Sequence, residues 1–241
     1  NPSALACGDI DNDGVAEIFA GFGSLGLWVY DNISGWRLIS SEYAENLICG
    51  DLDNNGQDEV IGDFGALGLW SYDNNTSWRQ IDTINPVALA AGDIDNDGYD
   101  EVIRSGTEGV YVYDNYVGWR RITPDIAEDL VCGDLDNNGL DEVIADFSNL
   151  GMWSFNNNTS WGLLTGDNPS AMTTGDYDND GSDEVAAGFG VLGLWVHDTI
   201  SGWTNLSPDI AENVTSGDLD NNGLPDIIGD FSSLGVWVYK N

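Results

Sequence analysis

The sequence predicts an all-β fold, and three observations support this prediction. The stretch Gly8-Asp9-Ile10-Asp11-Asn12-Asp13-Gly14 returns five more times, and successive copies are 41 or 42 residues apart. Each copy is flanked by short segments rich in β-branched and aromatic residues, which favour strands over helices. Turn signals separate these segments at intervals of about eight to twelve residues. Six equal units of four short strands are typical of a β-propeller with six four-stranded blades.

The four strands of a unit are predicted in a fixed order. The first precedes the acidic stretch, as in Ala4 to Cys7, and the second begins at the acid that closes it, as in Glu17 to Phe19. The third contains Leu27 to Tyr30, and the fourth contains Trp36 to Ile39 after an Asp-Asn turn. Unit six reaches Asn241 after its third strand, so the last blade is expected to have three strands, completed by face packing or by a further segment. Because the repeat is unbroken, one domain over residues 1–241 is predicted.

A second period divides the units into pairs. Odd units carry Asn-Pro before the acidic stretch, at residues 1, 85 and 168, whereas even units carry Ala-Glu before it and Asn at the third acidic position. The propeller is therefore expected to have pseudo-threefold symmetry built from blade pairs.

The acidic stretches have the composition of loops that bind a hard cation. Oxygen donors at positions one, three, five and nine, counted from the first Asp, surround a Gly that allows the sharp turn, and the backbone carbonyl at position seven completes the set. Six such loops predict about six Ca²⁺ ions, because Mg²⁺ prefers a tighter octahedron that keeps much of its water. The predicted ligands are Asp9, Asp11, Asp13, Val15 and Glu17 in loop one; Asp51, Asp53, Asn55, Gln57 and Glu59 in loop two; Asp93, Asp95, Asp97, Tyr99 and Glu101 in loop three; Asp134, Asp136, Asn138, Leu140 and Glu142 in loop four; Asp176, Asp178, Asp180, Ser182 and Glu184 in loop five; and Asp218, Asp220, Asn222, Leu224 and Asp226 in loop six.

Two other interpretations fit these loops less well. A helix-loop-helix calcium hand closes with an acid at position twelve, but that position holds Ala20, Gly62, Arg104, Ala145, Ala187 and Gly229. Plain acidic Asx turns remain the alternative, and they explain six complete donor sets poorly.

With these residues in place, the chain resembles the FG-GAP or VCBS-type calcium-binding propeller repeats, which also form the head of integrin α subunits. The resemblance rests on Gly-Asp-x-Asp-x-Asp-Gly-x-x-acid before an apolar strand and on Gly-Phe-Gly-Ser-Leu-Gly at 21–26 with its counterparts. It spans essentially the whole chain. Position nine is mostly Glu where the family usually has Asp, and residues 104–109 lack one residue of the Gly-Phe-Gly segment.

Composition excludes several classes of function. A formal charge of −36 is too acidic for a nucleic-acid binder, which needs a basic face. No apolar run is long enough for a membrane span, and the first residues carry no signal-peptide pattern, so the sequence is read as processed or as a fragment. Cys7, Cys49 and Cys132 share one repeat position, which indicates packing and not a disulfide framework.

The aromatic residues are the candidates for ligand binding. Trp occurs in nearly every third strand, where packing between blades is expected, and in the first five fourth strands, where an exposed ring can stack on a sugar. The candidate ligand-binding residues are Trp36, Trp78, Trp119, Trp161 and Trp203, with Arg37, Arg79 and Arg120 beside them. Unit three also concentrates Arg104, Arg120 and Arg121, which bind an anionic group or balance local acidity.

The resulting prediction is a non-catalytic, calcium-stabilised, extracellular recognition or adhesion module, with a glycan or a surface protein as its partner. The alternatives are a structural repeat unit that self-associates into arrays or filaments, and a propeller hydrolase or lyase. Catalysis has little support because His197, the one His, occupies a repeat position that holds Tyr in other units.

Overall fold

The computed structural model describes residues 2–240, and this part of the chain contains twenty-three strands and five short 3-10 turns. The strands form six antiparallel sheets, and each strand pairs with the next strand along the chain. Five sheets have four strands and the sixth has three among the described residues. The predicted fold class is confirmed: the chain has the fold of a six-bladed β-propeller. No helix among the described residues is long and apolar enough to cross a membrane.

The blades are numbered in chain order. Blade one has β1 (Ala4–Gly8), β2 (Glu17–Gly21), β3 (Leu27–Asp31) and β4 (Gly35–Ser40). Blade two has β5 (Asn46–Gly50), β6 (Glu59–Asp63), β7 (Leu69–Asp73) and β8 (Ser77–Asp82). Blade three has β9 (Ala88–Gly92), β10 (Glu101–Gly106), β11 (Gly109–Asp114) and β12 (Gly118–Thr123). Blade four has β13 (Asp129–Gly133), β14 (Glu142–Asp146), β15 (Met152–Asn156) and β16 (Ser160–Thr165). Blade five has β17 (Ala171–Gly175), β18 (Glu184–Gly188), β19 (Leu194–Asp198) and β20 (Gly202–Ser207), and blade six has β21 (Asn213–Gly217), β22 (Asp226–Asp230) and β23 (Val236–Tyr239).

Burial changes in a regular way across each blade. The second strands are the most deeply buried, and every residue of β6 and β14 is inaccessible to solvent or nearly so. Their three central residues, Val-Ile-Gly in β6 and Val-Ile-Ala in β14, are apolar, as expected for strands that are covered on both faces. The fourth strands are mostly exposed or half-buried, as in β4. The predicted strands agree with the structure to within one or two residues at their ends.

The turn between the second and third strands was not predicted from the sequence. In five blades it is a 3-10 turn, at Gly23–Leu25, Gly65–Leu67, Ser148–Leu150, Gly190–Leu192 and Ser232–Leu234. A Gly follows each turn with a positive φ, and a Cβ on Gly68 would lie 2.3 Å from the carbonyl oxygen of Asp82. In blade three, which is one residue shorter, Thr107 and Glu108 form a tight hairpin instead. The missing residue therefore removes the 3-10 turn and leaves the blade intact.

Each fourth strand carries a β-bulge against the third strand. In blade two, Leu69 pairs with Asp82 and Trp70 pairs with Gln80, so Ile81 is the additional residue. A bulge takes one residue out of the ladder and turns its backbone groups away from the paired strand. The additional residues of the five four-stranded blades are Ile39, Ile81, Ile122, Leu164 and Leu206.

The chain divides into two compact units. The first comprises Asn1–Asp93 and Asp97–Ile126 and contains blades one to three; the second comprises Ile94–Asn96 and Ala127–Asn241 and contains blades four to six. Within each unit the core lies between neighbouring blades, where buried side chains such as Phe19 and Val60, or Val185 and Met152, belong to one cluster. Full burial of one such side chain contributes about 1.5–3 kcal/mol. A single domain over residues 1–241 stays a prediction.

Candidate metal loops and pockets between blades

The acidic loops are shaped by their own carboxylates. In loop one the Asp9 carboxylate accepts hydrogen bonds from the backbone N–H groups of Asp13 and Gly14, at 3.2 and 2.9 Å. The Asp13 carboxylate accepts one from Val15 at 2.9 Å. Asn12 and Gly14 both have positive φ, as their counterparts in the other loops do. Asn and Gly tolerate that conformation best, which explains their fixed places in the motif.

These turns bring the predicted ligand oxygens together. In five loops, three carboxylates each place an oxygen within 4.8 Å of the others. Loop one groups positions one, three and five, and the other four loops group positions one, three and nine. The groups are Asp9, Asp11 and Asp13; Asp51, Asp53 and Glu59; Asp93, Asp95 and Glu101; Asp134, Asp136 and Glu142; and Asp176, Asp178 and Glu184.

The position-nine acids are buried beneath the loops. Glu59 and Glu184 are 1% and 2% exposed, and burial raises the pKa of each to about 7. One oxygen of each carboxylate accepts the backbone N–H of the second loop residue, at 3.0 Å from Leu52 and 2.8 Å from Tyr177. Glu184 Oε1 is buried without a donor among the described residues, as is Asp226 Oδ1. A buried carboxylate oxygen without a partner is costly unless a cation compensates it.

Even and odd loops differ in what covers them. In loop two the turn residue Asn74 donates its backbone N–H to Glu59 Oε1 at 3.2 Å and its side-chain amide to Asp53 at 3.2 Å. Asn157 covers loop four in the same way. In blade five the equivalent residue is Thr199, and its hydroxyl donates to the backbone carbonyl of Leu135 in blade four. Glu184 Oε1 in loop five has no hydrogen-bond donor among the described residues, whereas Glu59 Oε1 in loop two accepts the backbone N–H of Asn74.

Loop six has a different neighbour. The Lys240 ammonium lies 2.9 Å from Asp220, at position three. Position nine is Asp226, one methylene shorter than the Glu of the other loops. Asp218, Asp220 and Asp226 do not form a three-carboxylate group of the kind found in the other described loops.

The donor sets fit a divalent cation that prefers oxygen ligands. In loops two to five, carboxylates at positions one, three and nine would hold it, with the position-five oxygen and the position-seven carbonyl nearby in sequence; in loop one, those at positions one, three and five would do so. Such an ion supplies the positive charge that each group of acids lacks. Several of the carboxylate groups are thus compatible with calcium, and the number of about six bound ions stays a prediction.

An acidic residue that was not among the predicted site residues joins neighbouring blades. Asp58, at position eight of loop two, accepts the backbone N–H of Asp9 in loop one at 2.8 Å and donates its own N–H to the Asp9 carbonyl at 2.9 Å. Asp100 and Asp183 bind Asp51 and Asp134 in the same two-bond arrangement. The Asp-Glu doublets at 58–59, 100–101 and 183–184 were the available signal. We call this pair of hydrogen bonds the Asp latch.

The fourth-strand Trp residues lie among other aromatic rings. Trp78 contacts Phe64 and Tyr72 at centroid distances of 5.2 and 5.0 Å, and its indole N–H donates to the Ile39 carbonyl of blade one at 3.0 Å. The acceptor is the additional residue of the bulge in the preceding blade. Trp119 and Trp203 donate in the same way to Ile81 and Leu164. Trp36 is 49% exposed, and the remaining four are half-buried.

The Arg residues beside these Trp residues also bridge blades. Arg37 donates to the Tyr72 hydroxyl and to Asn75 of blade two, at 3.2 and 2.6 Å. Arg79 pairs with Asp73 at 2.8 Å and reaches the Tyr113 hydroxyl of blade three. Their packing role is thus visible, whereas a role in ligand binding stays a prediction.

A small pocket opens beside the Trp residues of blade five. Its volume is about 190 Å³, and it is lined by Thr165, Asp167, Phe189, Leu192, Trp195 and Trp203. The Trp195 indole N–H donates to the Leu192 carbonyl at 2.7 Å, which fixes the ring over the 3-10 turn. Two indole rings next to a hydroxyl and an exposed carboxylate provide a stacking surface with polar groups at its rim.

Arg104, His197 and the three Cys residues were also considered as candidates in the sequence, and the structure shows the contacts of each. Arg104 is 4% exposed, pairs with Asp82 at 2.6 Å and lies against the rings of Tyr111 and Trp119. The His197 ring contacts the Trp203 ring with a centroid distance of 4.9 Å and a tilt of 57°. The three Cys residues are free; Cys49 packs against a core cluster, but Cys7 is exposed, so the buried-packing interpretation is wrong for Cys7.

Comparison with known proteins supports the fold. No family model and no curated protein matches the chain. In structure it is similar to an Agrocybe aegerita lectin that recognises non-reducing terminal N-acetylglucosamine, with a TM-score of 0.66 and 16% identity over 94% of this chain and 74% of the lectin. It is also similar to BBS1N, solved in complex with ARL6DN, with a TM-score of 0.71 and 11% identity over 98% of this chain and 76% of that one. A third similar structure is the exotype rhamnogalacturonan lyase YesX, with a TM-score of 0.66 and 16% identity over 99% of this chain and 46% of the lyase. At these identities the likeness shows the fold alone.

Proposed function

We propose that this chain is a non-catalytic, calcium-stabilised recognition module that acts outside the cell and binds glycans. The observation that carries the proposal is the pocket of Trp195, Trp203, Thr165 and Asp167, in which indole rings and polar groups face the same small volume. The apolar face of a sugar ring can stack on an indole ring, and the sugar hydroxyl groups can donate hydrogen bonds to a carboxylate. The lectin among the similar structures supports the proposal, since it recognises a terminal sugar on this fold.

We also propose that the chain belongs to the calcium-binding propeller repeats that it resembles in sequence. The Asp-x-Asp-x-Asp-Gly loops before apolar strands support membership of the FG-GAP or VCBS-type repeats. The three-carboxylate groups support calcium as the ion of these loops. The acidic loops are nearly identical in every blade, so each can stabilise its own blade. We therefore assign a structural role to the loops and a recognition role to the aromatic pockets.

A glycan array tests the recognition role. Asp167→Ala and Trp195→Ala, each checked for an unchanged melting profile in calcium, are expected to weaken binding to the glycans that the unaltered protein selects. Ile200→Ala is the control, because Ile200 is 82% exposed on a turn and lies outside the pocket. Equal glycan binding by all four proteins would refute the pocket, and an array without any bound glycan would leave the structural-unit alternative ahead.

The non-catalytic part of the proposal has its own test. Incubation with a panel of polysaccharides, followed by reducing-end and unsaturated-product assays, is expected to show no breakdown. Product formation that disappears with one of the pocket variants would replace this proposal by the hydrolase or lyase alternative.

A further inference from the structure

Blade three differs from the other blades at the position of one aromatic ring. Gly106 stands where the five other blades have Phe22, Phe64, Phe147, Phe189 and Phe231. In blade two the Phe64 ring lies edge-on to the Trp78 ring, with a centroid distance of 5.2 Å. Blade three has Arg104 instead, and its guanidinium carbon lies 4.8 Å from the centre of the Trp119 ring. A cation therefore contacts the fourth-strand Trp of this blade, where blades one, two, four and five have a Phe ring.

The Arg104 guanidinium is buried and only partly paired. The Arg104 side chain is 4% exposed, and its Nε lies 2.6 Å from one carboxylate oxygen of Asp82. The other oxygen of Asp82 accepts the backbone N–H groups of Thr83 and Ile84. Arg104 Nη1 is also buried, and it has no hydrogen-bond acceptor among the described residues. A buried guanidinium N–H without an acceptor is costly, so this nitrogen is suited to an anionic oxygen.

Gly106 leaves space beside this nitrogen. A Cβ at Gly106 would lie 3.6 Å from Arg104 Nη1 and 3.6 Å from Ile84 Cγ2, and it would meet no closer atom of the described residues outside its chain neighbours. Both distances are ordinary van der Waals separations, so one atom fits there without displacing its neighbours. We call this space the Gly106 niche. A charge-assisted hydrogen bond is about 2.7–2.9 Å long, so a ligand oxygen in the niche can accept one from Nη1.

The niche lies beside the same two ring positions that line the proposed glycan pocket of blade five. Trp119 has the repeat position of Trp203. Tyr111 has the repeat position of Trp195, and it is half-buried with the Arg104 guanidinium carbon 4.5 Å from its ring centre. Blade three therefore keeps two aromatic rings of the kind on which a sugar can stack.

The charges beside these rings are opposite in the two blades. The blade-five pocket has the carboxylate of Asp167 in its lining, and Ile84 has that repeat position next to blade three. In blade three, Tyr111 pairs with Arg104 on one side and with the exposed Arg121 on the other. Residues that pair directly lie on the same face of a sheet, so this face carries two Arg residues around one ring position.

We propose that the Gly106 niche binds the carboxylate of an acidic sugar, a uronic acid, whose ring lies against Tyr111. The inference rests on the proposed glycan recognition and adds a second site that selects the opposite ligand charge. Asp82 offsets only one of the two guanidinium groups, and guanidinium bonds to carboxylates are stronger than bonds between neutral groups. The chain charge of −36 opposes the approach of any anion, so binding is expected to be weak and to require Arg104.

The test compares D-glucuronate with D-glucose, which has a hydroxymethyl group in place of the carboxylate. Each sugar is titrated into ¹⁵N-labelled protein in calcium and about 0.15 M salt, where long-range repulsion is screened. The Arg104 Nε–H and Trp119 indole N–H signals are expected to shift saturably with glucuronate and to stay unchanged with glucose. The indole signals of Trp195 and Trp203 report on the blade-five pocket in the same spectra, so failure of the two proposals is recorded separately.

Two variants distinguish the niche from the charge beside it. Gly106→Ala fills the niche and keeps the Arg104–Asp82 pair, and Gly106 does not have a positive φ. Arg104→Met removes the charge and retains an apolar side chain. Each variant is expected to weaken glucuronate binding at least about tenfold, as for the loss of one charged hydrogen bond. Gly217→Ala is the matched control, because its Cβ would meet no atom within 4 Å and Gly217 lies in blade six.

Four results would overturn the proposal. No shift with glucuronate, or equal shifts with glucose, would show that the carboxylate is not recognised. Unchanged glucuronate binding by Gly106→Ala would place the anion outside the niche, and this variant decides alone if Arg104→Met does not fold. Acetate that binds as tightly as glucuronate would assign the niche to any small carboxylate and not to a sugar.

Discussion

At the scale of single residues, the molecule places carboxyl groups where water cannot reach them. Asp63 ends β6 and is 0% exposed, with one oxygen accepting the backbone N–H of Gly65 at 2.9 Å. Burial raises the pKa of Asp63 to about 6, and it raises the pKa of Asp146, the equivalent in blade four, to about 6 as well. These residues do not belong to the metal loops, so their ionisation affects the stability of the blade itself.

Replacing Asp63 by Asn should stabilise the protein near neutral pH. A carboxyl group whose folded pKa is raised binds protons more tightly in the folded state, so its contribution to stability falls as pH rises from about 4 through about 6. Asp63→Asn should therefore raise the free energy of unfolding at pH 7 by on the order of 1–3 kcal/mol, with a much smaller gain at pH 4. Urea unfolding at both pH values measures this difference. Glu42→Gln, at an exposed position, is the control, and equal effects at the two pH values would contradict the argument.

At the scale of strands and blades, blades one to three are joined in succession by the Asp latches of Asp58 and Asp100 and by the indoles of Trp78 and Trp119. Blades four and five are joined by the latch of Asp183 and the indole of Trp203. The latch requires Gly before the first Asp of the motif. A Cβ on Gly50 would lie 2.7 Å from the Asp100 carboxylate and 3.0 Å from the Ala91 Cβ. The Gly of the motif therefore serves contact between blades as well as the shape of the loop.

Gly50→Ala should loosen the joint between blades two and three. The added methyl group has to displace Asp100 or Ala91, and overpacking of this kind costs about 1–3 kcal/mol. Gly166→Ala is a matched control, because its Cβ would meet no atom within 4 Å and Gly166 does not have a positive φ. Thermal melts in calcium compare the two variants. Similar melting temperatures would mean that Asp100 and Ala91 can move to accommodate the added methyl group without a loss of stability.

Trp78→Ala should cost more stability than Trp36→Ala. Trp78 has two ring neighbours and an indole hydrogen bond to blade one, and removing it should cost about 2–4 kcal/mol, below the range for a fully buried Trp. Trp36 is 49% exposed, so its loss should cost less. Chemical denaturation ranks the two variants, and the glycan array shows whether either affects binding. If only stability changes, the fourth-strand Trp residues pack blades and do not bind ligand.

These joints mark the limit of what the sequence could predict. Strand order, strand ends and the ligand groupings of four loops follow from local spacing, because each depends on residues of one unit. The latch of Asp58 on Asp9 and the reach of Trp78 to Ile39 depend on the register between blades, which no local pattern specifies. In loop one the grouped carboxylates are Asp9, Asp11 and Asp13, without the predicted Glu17. The contact of Lys240 with Asp220 at loop six is apparent only from the placement of the residue that follows β23.

At the scale of the whole molecule, the charge of −36 is the dominant feature. Half of the 42 acidic residues occupy positions one, three, five and nine of the loops, four in each odd loop and three in each even loop. Without cations these carboxylates repel one another in every blade. Metal binding and folding are therefore expected to be coupled.

Chelation should lower the melting temperature strongly. An ion present at 100 times its dissociation constant stabilises the folded state by about 2.7 kcal/mol per site, and that contribution is lost in EDTA. Calorimetric scans before and after metal removal, with the metal content checked by mass spectrometry, measure the change. An unchanged melt after confirmed removal would leave the loops as acidic turns.

Calcium should fill the odd loops before the even ones, and loop six should be the weakest. Odd loops have one more carboxylate, and loop five lacks the amide cover of loop two. Lys240→Ala should tighten loop six by removing the ammonium from Asp220, whereas Lys240→Arg should not. Isothermal calorimetry of the three proteins gives the site count. Even loops that fill first, or no effect of Lys240→Ala, would show that charge does not set the order.

The β-bulge carbonyl has a consequence for how the protein is made. Ile39 and Ile81 each receive their indole from the blade that follows, and Asp9 and Asp51 receive their latch from that blade too. Blades one and two are therefore incomplete until the blade that follows each of them has been translated. Synthesis proceeds in the same direction as these contacts, so blade two secures blade one and blade three secures blade two.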